Sequence, residues 1–319
     1  KKIEKYWELE IKESNYAEDF YIKKLEKILT NSIDLRQVSD APIGALLSGG
    51  LDSSIMVAIL SKLSEQPVKT FTTGFGHELD EYSEAQTVAE HCGTDHKEIS
   101  LTFAHISTSL PPILWHMEFP FGRPSILSNY LVSEQVKKFV TVAYTGEGSD
   151  ELFGGYNRYL IYSKDKSNVP LDQKLNSISS GFFDDISGNN IFSDGVMNFK
   201  NSQNHQKHQF KKIIDNNKSS SSLNQALLYE LKTEIPGAQT WRIDRCGYAH
   251  AVEMREPFLD YNLAEFNKKD SVTVICNLHL PSLAKEYGSR LIVLSEGRIV
   301  YDGSPTQLSE GKLNSFYNS

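Results

Sequence analysis

The sequence predicts an α/β fold: a parallel twisted sheet with helices on both faces, then a helical subdomain and a small α/β tail. Three observations carry that prediction. Four short runs rich in β-branched and aromatic residues lie early in the chain, at 43–47, 68–75, 96–101 and 140–145. Stretches with apolar residues at helical spacing follow the first three of them. Glycine-rich turns come just after the first and the fourth run. Strands alternating with helices in this way pack as a parallel sheet covered on both sides. In such sheets ligands bind beyond the carboxyl ends of the strands.

The first helix follows Asp52 and carries Ile55, Ile59 and Leu63 at steps of four. The second, 82–92, places Ala85, Val88, Ala89 and Cys92 on one face. The third, 126–139, carries Leu127, Tyr130, Leu131 and Val136. From about 163 to 225 the chain turns polar, with serine-, asparagine- and glycine-rich stretches too hydrophilic to bury much. It reads as a flexible connection with one short helix near 210–214. Order returns at 226–233 and 240–266, both helix-like. Residues 271–319 differ again: 272–276, 291–294 and 299–301 are strand-like, with Glu296-Gly297 placed as a hairpin turn would be. The expected division is therefore 1–270 and 271–319.

Composition narrows the function classes. With 319 residues, 39% of them hydrophobic, the chain can bury a sizeable core without disulfides. A net charge of −8 argues against a basic nucleic-acid surface. No apolar run approaches the ~18 residues of a membrane span, and the charged residues 1–13 contain no signal-peptide core. Lys1 in place of an initiator Met reads as a fragment or processed product. Cys92, Cys246 and Cys276 form no CxxC pair, which points to a reducing cytoplasm. A homo-oligomer is compatible with all of this.

Two loops carry chemistry. The first strand runs from Leu47 into Ser48-Gly49-Gly50-Leu51-Asp52-Ser53-Ser54, which opens a helix. Glycines admit a close ligand, and the first N–H groups of a helix favour an anion such as phosphate. It is not a Walker A loop, because no Gly-Lys-Ser/Thr follows. Asp52 is the oddity in this cradle. A carboxylate ~4 Å from a phosphate oxygen is repelled by about 4 kcal/mol at an effective dielectric of ~20. A divalent cation between them removes the conflict, and Mg²⁺ suits such a site. Otherwise Asp52 simply satisfies helix N-terminal donors. The second loop, 144–156, reads Tyr-Thr-Gly-Glu-Gly-Ser-Asp-Glu-Leu-Phe-Gly-Gly-Tyr. Asp150 there is placed to share the metal with Asp52, and Glu147 to handle protons. The alternative is an acidic turn that caps a helix.

The first loop resembles the pyrophosphate loop of the N-type ATP pyrophosphatases. Together, the two loops resemble the synthetase domain of the glutamine-dependent asparagine synthetase family. The resemblance extends from about Lys1 to Asp270. It includes the lead-in 38–44, Asp80-Glu81, Gly93-Thr94-Asp95-His96, Asp244-Arg245 and the run 253–260, Glu-Met-Arg-Glu-Pro-Phe-Leu-Asp. It implies an adenine nucleotide alpha-hydrolase-like fold and ATP with Mg²⁺ as cofactors. ATP and pyrophosphate would be held at Leu47, Ser48, Gly49, Gly50, Asp52, Ser53, Ser54, Thr73 and Gly146. The metal ligands would be Asp52 and Asp150, and the catalytic residues Glu147, Asp150 and Arg255. The implied reaction adenylates a carboxylate, aspartate or another, and ammonia then attacks it to give the amide. Arg255 would clamp a substrate carboxylate; its alternative is a structural pair with Glu253 or Asp260.

Three departures from the family pattern stand out. The glutaminase domain that precedes the synthetase domain in family members is expected upstream in the native chain, so these residues alone would use free ammonia. A family lysine some twenty residues beyond the run 253–260 has no clear match, Lys285 being nearest in spacing. The tail, through 274–279 and 287–303, resembles the end of a phosphonate-type ABC-transporter ATPase subunit; His279 there matches a γ-phosphate sensor but reads here as structural. Two other readings stay open: a non-catalytic ATP-binding remnant disabled by this replaced C-terminus, and a transporter ATPase, which lacks its nucleotide loop.

Overall fold

Parallel pairing builds the sheet in the computed structural model, which describes residues 4, 8–9, 16–77, 80–118, 123–159, 199–217, 221–269, 290–295, 298–309 and 311. Its strands are β1 (Ile43–Leu46), β2 (Lys69–Gly74), β3 (Asp95–Ser100), β4 (Val142–Tyr144) and β5 (Glu253–Arg255). Their order is β3-β2-β1-β4-β5, and each neighbouring pair is parallel. The four early strands fall on the runs rich in β-branched and aromatic residues that predict them.

Alternation along β1 and β4 sends side chains to two separate cores. Ala45, Leu47 and Tyr144 pack on one face with Ile33, Met56, Val57, Leu60, Ala85 and Ala89. These come from α1 (Glu18–Leu35), α2 (Leu51–Leu63) and α3 (Tyr82–Cys92). Leu46, Phe71 and Ala143 pack on the other with Val132 and Val136 of α5 (Ser125–Val136). Period-2 alternation in buried strands therefore produces the helix-covered sheet that the sequence predicts. The strand order reverses direction at β1, with β2 on one side and β4 on the other. That boundary is the switch point at which an open parallel sheet forms its ligand crevice.

Several elements differ from the sequence expectation. Helix α4 (Phe103–Met117) contains Pro111 and Pro112, a pair that argues against a helix interior because each lacks an N–H. The polar stretch expected to be flexible holds α7 (Phe199–Asn216), much longer than the short helix near 210–214. Phe210 is buried against Ala226 and Tyr229, with Ile213 and Ile214 beside it. That i, i+3, i+4 stripe supplies enough apolar contact to dock an otherwise polar helix. Residues 160–198 lie outside the described residues.

The helical run expected over 240–266 is broken into three pieces. Helix α9 (Thr240–Ala249) ends where Gly247 meets the Val252 carbonyl, and Ala251 adopts φ +54°. Strand β5 then pairs with β4, and α10 (Tyr261–Lys269) follows a short turn. A three-residue strand leaves no periodic signature to read. Before α9 come α8 (Ser222–Glu234) and a π-helical turn at Ile235–Gln239. In the tail, β6 (Leu291–Ser295) and β7 (Arg298–Gly303) pair antiparallel, while Glu296-Gly297, 272–276, His279 and Lys285 lie outside the described residues.

Candidate active site

β1 and β4 end side by side, with Ala45 opposite Tyr144 in the register, so the loops that follow them share one rim of the sheet. Between them lies a cavity of about 410 Å³ lined by Leu46, Leu47, Ser48, Asp52, Ser53, Phe71, Thr72, Thr73, Glu81, Val132, Thr145, Gly146, Glu147, Gly148, Asp150 and Tyr156. Its size and mixed lining suit a small-molecule ligand.

The first loop is shaped by its own residues. Gly49 has φ +82°, and a Cβ there would lie 2.4 Å from that of Glu84. The Ser48 N–H donates to Ser53 Oγ at 3.2 Å, and the Gly50 N–H to Ser48 Oγ at 3.2 Å. Ser53 Oγ and Ser54 Oγ both donate to the Gly50 carbonyl, at 3.1 and 2.7 Å. Gly49, Gly50 and Ser54 thus shape the cradle, while Leu47, Ser48, Asp52 and Ser53 line the cavity. The Leu47 carbonyl is pinned by the Thr72 hydroxyl. Thr73 and Gly146 line the same space.

The second loop brings its carboxylates to the first. Ser149 Oγ, at the start of α6 (Ser149–Phe153), donates to Asp52 Oδ1 at 2.8 Å. Asp150 is pushed up to about 6, mainly by burial and then by the Asp52 charge. Burial raises Asp52 too, and the Ser149 hydrogen bond opposes it. Asp150 packs so closely on Gly155 that a Cβ at 155 would lie 1.9 Å from its Oδ1. Two carboxylates on one cavity, each costly to ionise alone, form a donor set that a divalent cation would relieve. Among the described residues no cluster of three or more His, Cys, Asp and Glu side chains could hold a metal by itself. A cation held by these two carboxylates would have to complete its shell with oxygens from a bound ligand and water.

Glu147 is fixed at both oxygens. Arg242 Nη2 donates to Oε1 at 3.0 Å, and Gln239 Nε2 to Oε2 at 2.9 Å. The same Gln239 nitrogen donates to Glu151 Oε1 at 2.9 Å, which also accepts from Tyr156 Oη at 2.9 Å. Burial pushes Glu151 up to about 7. Glu256, facing the Glu147 and Arg242 charges, is also pushed up to about 7, chiefly by burial. Behind them Arg158 forms two bonds to the fully buried Glu230, at 3.0 and 2.8 Å.

Arg255 stands apart. Its Nε donates to Glu253 Oε1 at 2.8 Å, and its Nη1 to the carbonyls of Val38 and Arg36. It lines a different cavity, of about 470 Å³, with Arg36, Glu253 and Glu256. Of its two possible roles, the structure shows the pairing with Glu253; Asp260 pairs with Arg36 instead, at 3.0 Å.

The family model described as Asparagine synthase matches residues 24–268, which takes in both loops, Gln239 and Arg242. The chain belongs to the asparagine synthase family. It is 28% identical over 282 residues to asparagine synthetase [glutamine-hydrolyzing] 1 of Bacillus subtilis, covering 80% of this chain and 44% of that protein. It is 35% identical over 150 residues to asparagine synthetase B of Escherichia coli, covering 42% of this chain and 27% of the relative. The chain thus spans less than half the length of these relatives. Among solved structures it is similar to the NH3-dependent NAD synthetase of Campylobacter jejuni, at 15% identity and a TM-score of 0.31, covering 42% of this chain and 60% of that one.

Sequence reasoning missed Gln239 and Arg242. Their signal lies in a buried stripe of Gln239, Arg242, Ile243, Cys246 and Gly247, at i, i+3, i+4, i+7, i+8. Long polar side chains on the face that apolar residues otherwise occupy mark a site.

Proposed function

We propose that this chain is the synthetase part of an amide-forming ligase. It activates a carboxylate, the side chain of aspartate first among candidates, with ATP and passes it to ammonia. The observation that carries this reading is the meeting of Asp52 and Asp150 on one cavity at the switch point of the sheet. The names of the relatives support it, since they are glutamine-hydrolysing asparagine synthetases. Ammonia would come free or from glutamine hydrolysed by a glutaminase domain of the longer protein.

Each part of the cavity has a task. Leu46, Leu47, Phe71 and Val132 supply an apolar wall for the adenine, and the first loop receives the phosphates. Mg²⁺, held by Asp52 and Asp150, would neutralise the charge of the departing pyrophosphate. The substrate carboxylate oxygen attacks the α-phosphorus, the bond to the β-phosphate breaks, and no proton moves. Ammonia then attacks the acyl carbon, AMP leaves, and nitrogen must lose a proton. Glu147, at the cavity wall, is the carboxylate placed to take it. Neither step needs a protein nucleophile; positioning and charge stabilisation suffice.

ATP–pyrophosphate exchange tests this directly. It should require Mg²⁺ and aspartate, and yield AMP. Asp52→Asn should lower exchange by about 10²–10³-fold, the scale of one lost preorganised electrostatic contact. Exchange at an unchanged rate without any carboxylate, or hydrolysis to ADP, would sink the proposal. Tight Mg·ATP binding with no pyrophosphate release would instead favour a non-catalytic ATP-binding module.

A further inference from the structure

We infer that Gln239 is a positioning residue for the amide-forming half of the reaction, set in place by the π-helical turn between α8 and α9. The inference rests on the proposed function and extends it to a residue outside both loops.

The turn has a local cause. Pro236 has no N–H to continue the α-helical ladder, so the backbone bonds on either side of it lengthen by one residue. The Ile235 N–H reaches the Glu230 carbonyl, and the Thr240 N–H reaches that of Ile235, each spanning five residues. The Thr240 hydroxyl donates to the Ile235 carbonyl as well, at 2.9 Å. One extra residue in the turn changes the direction of every side chain after it. Gln239 and Arg242 then share the face toward Glu147, and Arg242 is anchored by its Nη1 to Ser125 Oγ at 2.6 Å.

The amide suits its place chemically. Gln239 is only 4% exposed, and one NH2 group gives its two hydrogens to two carboxylates, Glu147 and Glu151, both at 2.9 Å. Among the described residues, its buried Oε1 has no hydrogen-bond partner. The reverse orientation would aim that oxygen at two carboxylates, so the donor role is fixed. A carboxylate at 239 would add negative charge and could donate at most one hydrogen. An aliphatic side chain could donate none. A neutral double donor of this length can hold Glu147 and Glu151 at once without adding charge. Because only the attack by ammonia needs a base, losing the Gln239 contact should separate the two half-reactions.

The test compares Gln239→Leu, Gln239→Glu and Gln239→Asn with the wild type in three measurements: Mg·ATP affinity, aspartate-dependent pyrophosphate exchange, and amide formation from ammonium. For the Leu and Glu variants we expect affinity and exchange within about threefold of wild type and amide formation down about 100-fold, the penalty of a misplaced group. The Asn variant should recover part of the loss. If Leu at 239 prevents folding, the isosteric Glu variant carries the comparison. Equal losses in both half-reactions, or no loss in either, would overturn the assignment. A wild type that shows no exchange at all would instead bring down the functional reading itself.

Discussion

The two loops at the rim of the sheet are held by different means. The β1–α2 loop is locked by glycines and by serines that bond to its own backbone within five residues. The β4–α6 loop depends on groups far along the chain. Gln239 and Arg242 reach Glu147 across 92 and 95 positions, and the segment behind the loop is pinned through Arg158 to Glu230, 72 positions away. On the proposed function the first loop is a phosphate cradle, which needs a rigid backbone that neighbouring residues can supply. The second would be a reaction centre, which needs several charged groups held against one another by tertiary packing.

The largest break in this comparison should come from Arg158→Met. Glu230 is 0% exposed and accepts from Arg158 and from the Tyr159 hydroxyl. Removing the guanidinium leaves a buried carboxylate without its cation, at a cost of about 3–5 kcal/mol. Chemical denaturation should show that loss, and pyrophosphate exchange should fall with it. Glu230→Gln in the same background should restore part of the stability, because the uncompensated charge is then gone. An Arg158→Met protein as stable as wild type would mean that the second loop does not depend on this anchor.

A pH series sharpens the comparison because the raised carboxyls cluster at the second loop. Burial pushes Glu151 and Glu256 up to about 7 in the folded protein. Below the ordinary carboxyl range both states hold these protons, and no penalty exists. As pH rises the unfolded chain releases them first, so the folded state binds more protons and stability falls until about pH 7. Glu151, 3% exposed, alone sets a ceiling on the order of 3 kcal/mol for that fall. His96 and His250, lowered by burial, act oppositely and lose stability as pH falls through about 6.5. The clean measurement is therefore the difference in unfolding free energy between wild type and Glu151→Gln. The wild type should lose more stability between pH 5 and pH 8, and parallel curves would refute the assignment.

The same division decides what the sequence reveals. β1 to β4 are legible because each is a β-branched, aromatic or apolar run bounded by turn residues, and the first loop is legible because the glycines and serines that shape its backbone lie within it. β5 is hidden by its three residues, and α4 by a proline pair. Gln239 and Arg242 are hidden because helical periodicity assigns a face without naming what packs on it. The π turn also puts that face one residue out of step with the face of α8 before it. Arg255 shows the converse: the motif singles it out, yet its guanidinium is occupied by Glu253 and two backbone carbonyls.

The smallest effect should come from Ser54→Ala, and it tests whether the first loop is self-contained. The Gly50 carbonyl accepts from Ser54 Oγ at 2.7 Å, from Ser53 Oγ at 3.1 Å and from the Ser54 N–H at 3.0 Å. Deleting one of three donors leaves the acceptor satisfied, so the cost in stability should be at most about 1 kcal/mol. Mg·ATP affinity should stay within about threefold, since the remaining bonds keep the backbone in place. A loss of affinity beyond about tenfold, or 1.4 kcal/mol, with stability unchanged would show that the Ser54 hydroxyl leaves Gly50 to meet the nucleotide. The first loop would then be completed by its ligand, as the second is completed by distant side chains, and the contrast between them would be one of degree.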